Sequence, residues 1–305
     1  MLLVTGASGF LGSALAREAV AAGLEVAGTY HRNRFDTGGV RMIRVDLGDP
    51  SAVRPLLSQV KPDWVVNCAA FTNVDECEGD PIRARQVNSE IPRALAAGCA
   101  EAGIQMLQVS TDSVFDGKRG RYSEADSSSP LNVYAQTKLE GERAVLDELA
   151  DGLVIRTNFI GLSPGRASGL ADWLANRFER GERVPGFTDV VFAPLLVGEV
   201  ARTALEMMKL ALRGVYHVCA SDSVSKYEFA CLLGEALGFN RNMVDPTSLA
   251  AAGLRAPRPM NTSMSPRRAE IALGHRLPEV GVAIASYARL RGANASMVLN
   301  PATEA

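Results

Sequence analysis

Tyr134 and Lys138 stand four residues apart, so a helix through Tyr134-Ala135-Gln136-Thr137-Lys138 sets a phenol and an ammonium on one face. A free phenol titrates near 10 and exchanges its proton poorly at neutrality, but an adjacent ammonium stabilises the phenolate and lowers that value. Such a tyrosine can pass a proton to a substrate oxygen as hydride arrives at carbon. The lysine can also hold the ribose of a nicotinamide cofactor. Ser110-Thr111-Asp112 follows the strand-like run Gln105–Val109, and a Thr111 hydroxyl at the carboxyl end of a strand can reach the same oxygen. Tyr-x-x-x-Lys alone is common on solvated helix faces. Its meaning rests on what else the chain carries.

The companion motif opens the chain. Gly6-Ala7-Ser8-Gly9-Phe10-Leu11-Gly12 follows the apolar run Leu2-Leu3-Val4 and leads into the Ala-rich amphipathic stretch Ser13–Ala22. That is the strand, Gly-rich turn and helix of a dinucleotide fingerprint. Its glycines allow a tight turn, close approach to pyrophosphate and helix-on-strand packing, while the helix N-terminus offers free backbone donors. After the second strand the chain reads Thr29-Tyr30-His31-Arg32-Asn33-Arg34, with no carboxylate before Asp36 to grip a ribose 2′-hydroxyl. A cationic cluster suits a 2′-phosphate, so NADPH is the expected cofactor and NADH the alternative.

The elements needed to hold these groups are legible. Strand candidates Leu2–Thr5, Glu25–Thr29, Arg41–Val45, Trp64–Asn67, Gln105–Ser110 and Leu153–Thr157 alternate with helical stretches Ala52–Gln59, Ile82–Glu101 and Tyr134–Leu149. The pattern predicts an α/β fold, a Rossmann-type doubly wound parallel sheet with ligands at the carboxyl ends of the strands. Beyond Thr157 the rhythm loosens: Trp173–Arg180, Val200–Leu212 and Lys226–Leu237 read as helices, Gly214–Val218 as a strand, and Leu254–Pro266 as irregular connections. The expected division is a dinucleotide-binding domain over 1–157, a smaller substrate-binding lobe over 158–291 sharing elements with the sheet, and a frayed tail over 292–305.

A chain of 305 residues can bury a large core, and a net charge of -2 leaves no electrostatic footprint for nucleic acid or a membrane surface. Five scattered cysteines without a Cys-x-x-Cys pair suit a reduced, cytoplasmic setting. No signal peptide and no transmembrane-length apolar run is apparent. His31, His217 and His275 are too dispersed for a metal site, and none is expected. Asp75-Glu76, and Glu124 with Asp126, read as solvated loop charges. The expected partner is a small molecule; the assembly, where one forms, is expected to be a homodimer.

Together Thr5–Gly12, Val109-Ser110-Thr111-Asp112-Ser113-Val114-Phe115-Asp116-Gly117 and Tyr134-x-x-Thr137-Lys138-x-x-Gly141-Glu142 resemble the extended short-chain dehydrogenase/reductases, and within them the dTDP-4-dehydrorhamnose reductase branch. The resemblance runs from Leu2 to about Leu277 and includes Asn67–Thr72, Val74-Asp75, Asn88, Arg156-Thr157 and Val224–Phe229. It implies that Thr111, Tyr134 and Lys138 are the catalytic trio. It places Gly6, Gly9, Phe10, Leu11 and Gly12 on pyrophosphate, with Ser8 also binding the cofactor, Asp46 and Leu47 beside adenine, and Ala69, Ala70 and Thr72 beside ribose and phosphates. Thr111, Asp112, Phe159, Val190 and Arg258 are the expected substrate contacts, the substrate being a nucleotide-linked sugar.

The chain departs from that branch where Ser113 replaces the usual Tyr, Phe159 the frequent Trp, and Val190 and Leu195 a Gln and a Thr, which opens the choice of substrate. Dehydratases of the superfamily carry Thr-Asp-Glu, but Ser113 supplies no carboxylate for elimination. The reading is therefore an NADPH-dependent reductase of a 4-keto nucleotide deoxysugar. The alternatives are a reductase of another carbonyl substrate, or a non-catalytic NADP-binding regulatory subunit like that of methionine adenosyltransferase.

Overall fold

The computed structural model describes residues 1–32, 38–163 and 169–299. The chain alternates β1 (Leu2–Thr5), α1 (Phe10–Ala21), β2 (Val26–Tyr30), β3 (Arg41–Arg44), α2 (Val53–Val60), β4 (Trp64–Asn67), α3 (Val74–Gly79), α4 (Pro81–Arg85), α5 (Ile91–Ala102), β5 (Gln105–Thr111), α6 (Val133–Glu148) and β6 (Leu153–Thr157). There follow β7 (Phe159–Ile160), α7 (Leu170–Glu179), β8 (Val184–Phe187), β9 (Val191–Phe192), β10 (Leu195–Leu196), α8 (Val197–Lys209), β11 (Gly214–Val218), β12 (Val224–Ser225), α9 (Lys226–Ala236), β13 (Val244–Thr247), α10 (Arg267–Leu273) and α11 (Val280–Leu299).

Seven strands form one sheet in the order β11-β6-β5-β4-β1-β2-β3, with every neighbouring pair parallel. Parallel sheets bury both faces, and β1 and β6 are buried at every position. Alternate residues feed two cores: Leu2, Val4, Leu107 and Ile155 join one, Leu3, Val65 and Met106 the other. Helices α1 and α8 pack together, as do α2 with α5 and α5 with α6. The chain winds outward from β1 through β2 to β3, then returns to β4 on the other side of β1. The strand order reverses there, which opens a crevice at the carboxyl ends of β1 and β4.

Two details differ from the sequence expectation. The helix expected over Ile82–Glu101 is broken, because a π-helical turn over Gln86–Glu90 separates α4 from α5. The segment expected to fray from Gly292 is helical to Leu299, and residues 300–305 lie outside the described residues. The later part of the chain supplies β11 to the sheet and adds three two-stranded sheets, β10 with β7, β12 with β9 and β13 with β8.

Candidate active site

Gly6 sits at φ +63, in the left-handed region that favours glycine, and a Cβ there would stand 2.9 Å from the Ala69 backbone. At Gly12 a Cβ would lie 2.3 Å from the Gly6 carbonyl oxygen, so turn and helix meet with no space for a side chain. Gly9 caps α1 without a side-chain hydrogen bond, which leaves the first N–H groups of the helix available to an anion. Gly6, Ser8 and Gly9, just ahead of that helix start, border a cavity of about 620 Å³, within the range of cofactor clefts. Below it the Thr5 hydroxyl donates to Asn67 Oδ1 at 2.5 Å and Asn67 Nδ2 donates to Gln108 Oε1 at 2.8 Å. Asn67 Oδ1 also accepts the Ala69 N–H at 3.2 Å, so one polar chain ties the ends of β1 and β4 and the middle of β5 to the cavity wall.

Gly6, Ser8, Gly9, His31, Arg32, Asp46, Leu47, Ala69 and Ala70 all line this cavity. His31 Nε2 faces the Asp46 carboxylate at 3.6 Å. Arg32 makes no ion pair among the described residues, and Arg34, the third member of the expected cationic cluster, lies outside them. Phe10 turns the other way and meets Phe159 edge-on, with ring centroids 5.4 Å apart. Leu11 and Gly12 are buried, and Thr72 is exposed outside the cavity lining.

Helix α6 starts at Asn132, whose side chain accepts the Ala135 N–H at 2.9 Å. From there Tyr134 is half-buried and Lys138 is 4% exposed. Lys138 Nζ donates to the Val109 carbonyl at 2.6 Å. Burial lowers its pKa to about 8, opposed by the charge of Glu142. The Tyr134 phenol is hydrogen-bonded by Thr111, yet burial pushes its pKa up to about 12, and the Asp112 charge adds to the rise. The lowering expected from Lys138 is therefore absent: the ammonium is committed to Val109, and desolvation dominates at the tyrosine. Asp112 is buried, and burial raises its pKa against four hydrogen bonds. These come from Thr111 at 3.2 Å, Ser113 at 3.2 Å, Asn158 at 2.8 Å and Thr262 at 2.7 Å.

The remaining expected substrate contacts are more embedded. Val190 is buried and its carbonyl accepts the Lys226 N–H at 2.8 Å; Leu195 is wholly buried in β10. Arg258 Nη2 is held by Asp75 Oδ2 at 3.0 Å, while Asp75 Oδ1 accepts the Ala256 N–H at 2.9 Å. Asp75 is thus a tie between α3 and the C-terminal segment rather than a solvated charge. Glu124 likewise accepts the His217 N–H at 2.9 Å. Among the described residues no group of three His, Cys, Asp or Glu could hold a metal ion.

The family described as RmlD substrate binding domain matches residues 1–290. The chain belongs to this family. It is 36% identical over 279 residues to the probable low-salt glycan biosynthesis reductase Agl14 of Haloferax volcanii, covering 90% of this chain and 93% of that protein. It is 32% identical over 273 residues to the dTDP-4-dehydrorhamnose reductase of Mycobacterium tuberculosis, covering 88% and 85%. The methionine adenosyltransferase 2 subunit beta of Xenopus tropicalis is 31% identical over 294 residues, covering 92% and 85%. A dTDP-4-dehydrorhamnose reductase structure from Clostridium acetobutylicum superposes with a TM-score of 0.82 at 26% identity, covering 95% and 99%.

Two residues of this RmlD-family site carry roles that the sequence does not announce. Asn88, from the π-helical turn, accepts the Phe71 N–H at 2.9 Å and donates to the Phe71 carbonyl at 3.0 Å and the Thr137 hydroxyl at 3.2 Å. It couples the cavity wall to α6. Lys226 lies 5.7 Å from the Phe192 ring centre with no ion pair among the described residues, and burial lowers its pKa. Its membership of the late Val224–Phe229 motif was the only signal available.

Proposed function

We propose that the protein is an NADPH-dependent reductase of the 4-keto group of a nucleotide-linked deoxysugar. The observation that carries this reading is the joining of Thr111, Tyr134 and Lys138 at the end of β5, in the same crevice region as a glycine cradle that any Cβ would fill. The cradle fits a dinucleotide. Gly6, Ser8, Gly9 and the first turn of α1 would hold its pyrophosphate, Arg32 its 2′-phosphate, and Asp46 and Leu47 would flank adenine. Ala69 and Ala70 would border the ribose, and Lys138 would hold the nicotinamide ribose.

When bound, the reduced nicotinamide supplies the hydride. Tyr134, a neutral phenol at pH 7 with or without the rise in its pKa, donates its proton to the oxygen that becomes an alkoxide. Thr111, whose single hydroxyl proton rests on Asp112 Oδ1 in the free site, would turn it to hydrogen-bond that oxygen. Ser113 leaves the site without the extra carboxylate that elimination chemistry needs. The names of the relatives from Haloferax volcanii and Mycobacterium tuberculosis support a reductase in sugar metabolism.

Similarity to a methionine adenosyltransferase beta subunit favours a second reading, a cofactor-binding regulatory subunit. One experiment separates the two: loss of NADPH absorbance against a panel of 4-keto nucleotide sugars, with Tyr134→Phe as control. The reductase reading expects turnover with at least one sugar and a fall of roughly 10²–10⁴-fold in Tyr134→Phe, with NADPH binding retained. NADPH binding without oxidation by any sugar would support the regulatory reading instead.

A further inference from the structure

Three consecutive residues of β5 each hold one residue of α6. The Val109 carbonyl accepts Lys138 Nζ at 2.6 Å, the Ser110 hydroxyl donates to Glu142 Oε1, and the Thr111 hydroxyl meets the Tyr134 phenol. Tyr134, Lys138 and Glu142 follow one another at four-residue steps, in a row along one side of the helix. Glu142 is 2% exposed. It receives Arg156 Nε at 3.0 and 3.1 Å on its two oxygens and Arg156 Nη2 at 2.7 Å. Arg156 comes from β6, directly opposite Ser110 in the strand register. Its other donors reach the Ser128 hydroxyl at 3.1 Å and His217 Nε2 at 3.5 Å. His217 is neutral, because burial and the Arg156 charge lower its pKa to about 3.

A buried ion pair is a poor choice if packing is all that is required, since apolar residues of similar volume do as well or better. What an apolar pair lacks is a fixed negative charge one helical turn from Lys138. The groups bearing on that ammonium are Glu142 from its own helix, Cys68 from the segment after β4, and the Val109 carbonyl from β5. Tyr134 lies one turn back. Cys68 is a neutral thiol, pushed up to about 12 by burial, and Tyr134 is a neutral phenol. Glu142 is left as the negative charge that faces Lys138.

We propose that Glu142, held by Ser110 and Arg156, is a positioning residue for Lys138: it keeps the buried lysine charged and fixes the face that α6 presents to β5. Its functional consequence rests on the reading of Lys138 as a ligand of the cofactor ribose. The test is a direct NMR titration of the Lys138 side chain in ¹³C,¹⁵N-lysine-labelled protein, the resonance being the one missing in Lys138→Met. The wild-type midpoint is expected near 8. Glu142→Gln keeps the shape and removes the charge, and should lower the midpoint by about one pH unit. Glu142→Asp keeps the charge and shortens the reach, and should stay nearer to wild type.

An unchanged midpoint in folded Glu142→Gln would overturn the proposal, as would Glu142→Asp moving it as far as Glu142→Gln does. If Glu142→Gln unfolds, Glu142→Gln/Arg156→Met leaves neither charge buried. A midpoint still below wild type then supports the proposal, and one at or above wild type overturns it. If the midpoint falls in Glu142→Gln while the pH profile of kcat/KM for NADPH stays in place, Lys138 has no part in turnover. The positioning role stands in that case, and the reading of Lys138 as a ribose ligand fails.

Discussion

Lys138→Met should make the protein more stable while disabling it. Burial holds the lysine pKa near 8 against an ordinary 10.5, and a difference of that size corresponds to roughly 3 kcal/mol against keeping the charged form in the fold at neutral pH. Methionine has nearly the same length and no charge. Its cost is the hydrogen bond to Val109, worth about 1–2 kcal/mol, but the Val109 carbonyl keeps a second donor in Gln108 Nε2 at 2.8 Å. Glu142 also retains Arg156. The expected net gain is about 1–2 kcal/mol, read from urea unfolding at pH 7. The gain must also depend on pH in a defined direction. Below pH 8 lysine is charged in both the folded and unfolded wild type, so the full penalty is present. Between 8 and 10.5 the unfolded chain binds more protons than the folded one, so wild-type stability rises and the advantage of methionine shrinks. NADPH affinity, followed by fluorescence, should fall throughout. A Lys138→Met protein less stable than wild type at pH 7, or a stability gap that fails to narrow toward pH 10.5, would refute this account of the buried ammonium.

Gly12→Ala forces a Cβ to 2.3 Å from the Gly6 carbonyl, so the Gly-rich turn must shift; the expected result is about 1–3 kcal/mol of lost stability on urea unfolding, with NADPH affinity reduced at least about tenfold in fluorescence titration. Arg32→Ala should weaken NADPH by about 1.5–3 kcal/mol and leave NADH unchanged, since Arg32 follows β2 at the cavity wall and makes no ion pair among the described residues; equal losses for the two cofactors would place the arginine elsewhere. Arg156→Met leaves the Glu142 carboxylate buried beside a single hydroxyl donor and should cost about 3–5 kcal/mol in chemical denaturation.

What the sequence disclosed and what it withheld divide along the range of the interactions involved. The parallel sheet was legible because short apolar runs such as Leu2-Leu3-Val4 and Leu153-Val154-Ile155 alternate with helix-length stretches, and the Gly-rich turn because its glycines lie within seven residues of one another. Thr111, Tyr134 and Lys138 were legible as types and spacing, for Thr111 closes β5 and the other two share a face of α6. The two-residue strands β7, β9, β10 and β12 are too short to show a period, and the π-helical turn that aims Asn88 at Phe71 has no signature in its own residues. Arg258 looked free to contact a substrate because its partner, Asp75, lies far off in the chain.

The protonation of the trio belongs to this second group. A phenol and an ammonium four residues apart suggest mutual electrostatic help, but the structure gives each a different neighbour: Lys138 turns to a strand carbonyl, and Tyr134 to a hydroxyl fixed by a buried carboxylate. Desolvation then moves the two pKa values apart, the phenol up to about 12 and the ammonium down to about 8. For reduction this direction makes the tyrosine a weaker acid than a free phenol, so that only a strongly basic developing alkoxide draws its proton off. It is the costly direction at the lysine, whose charge then depends on a carboxylate one helical turn away, held in turn by an arginine from the next strand.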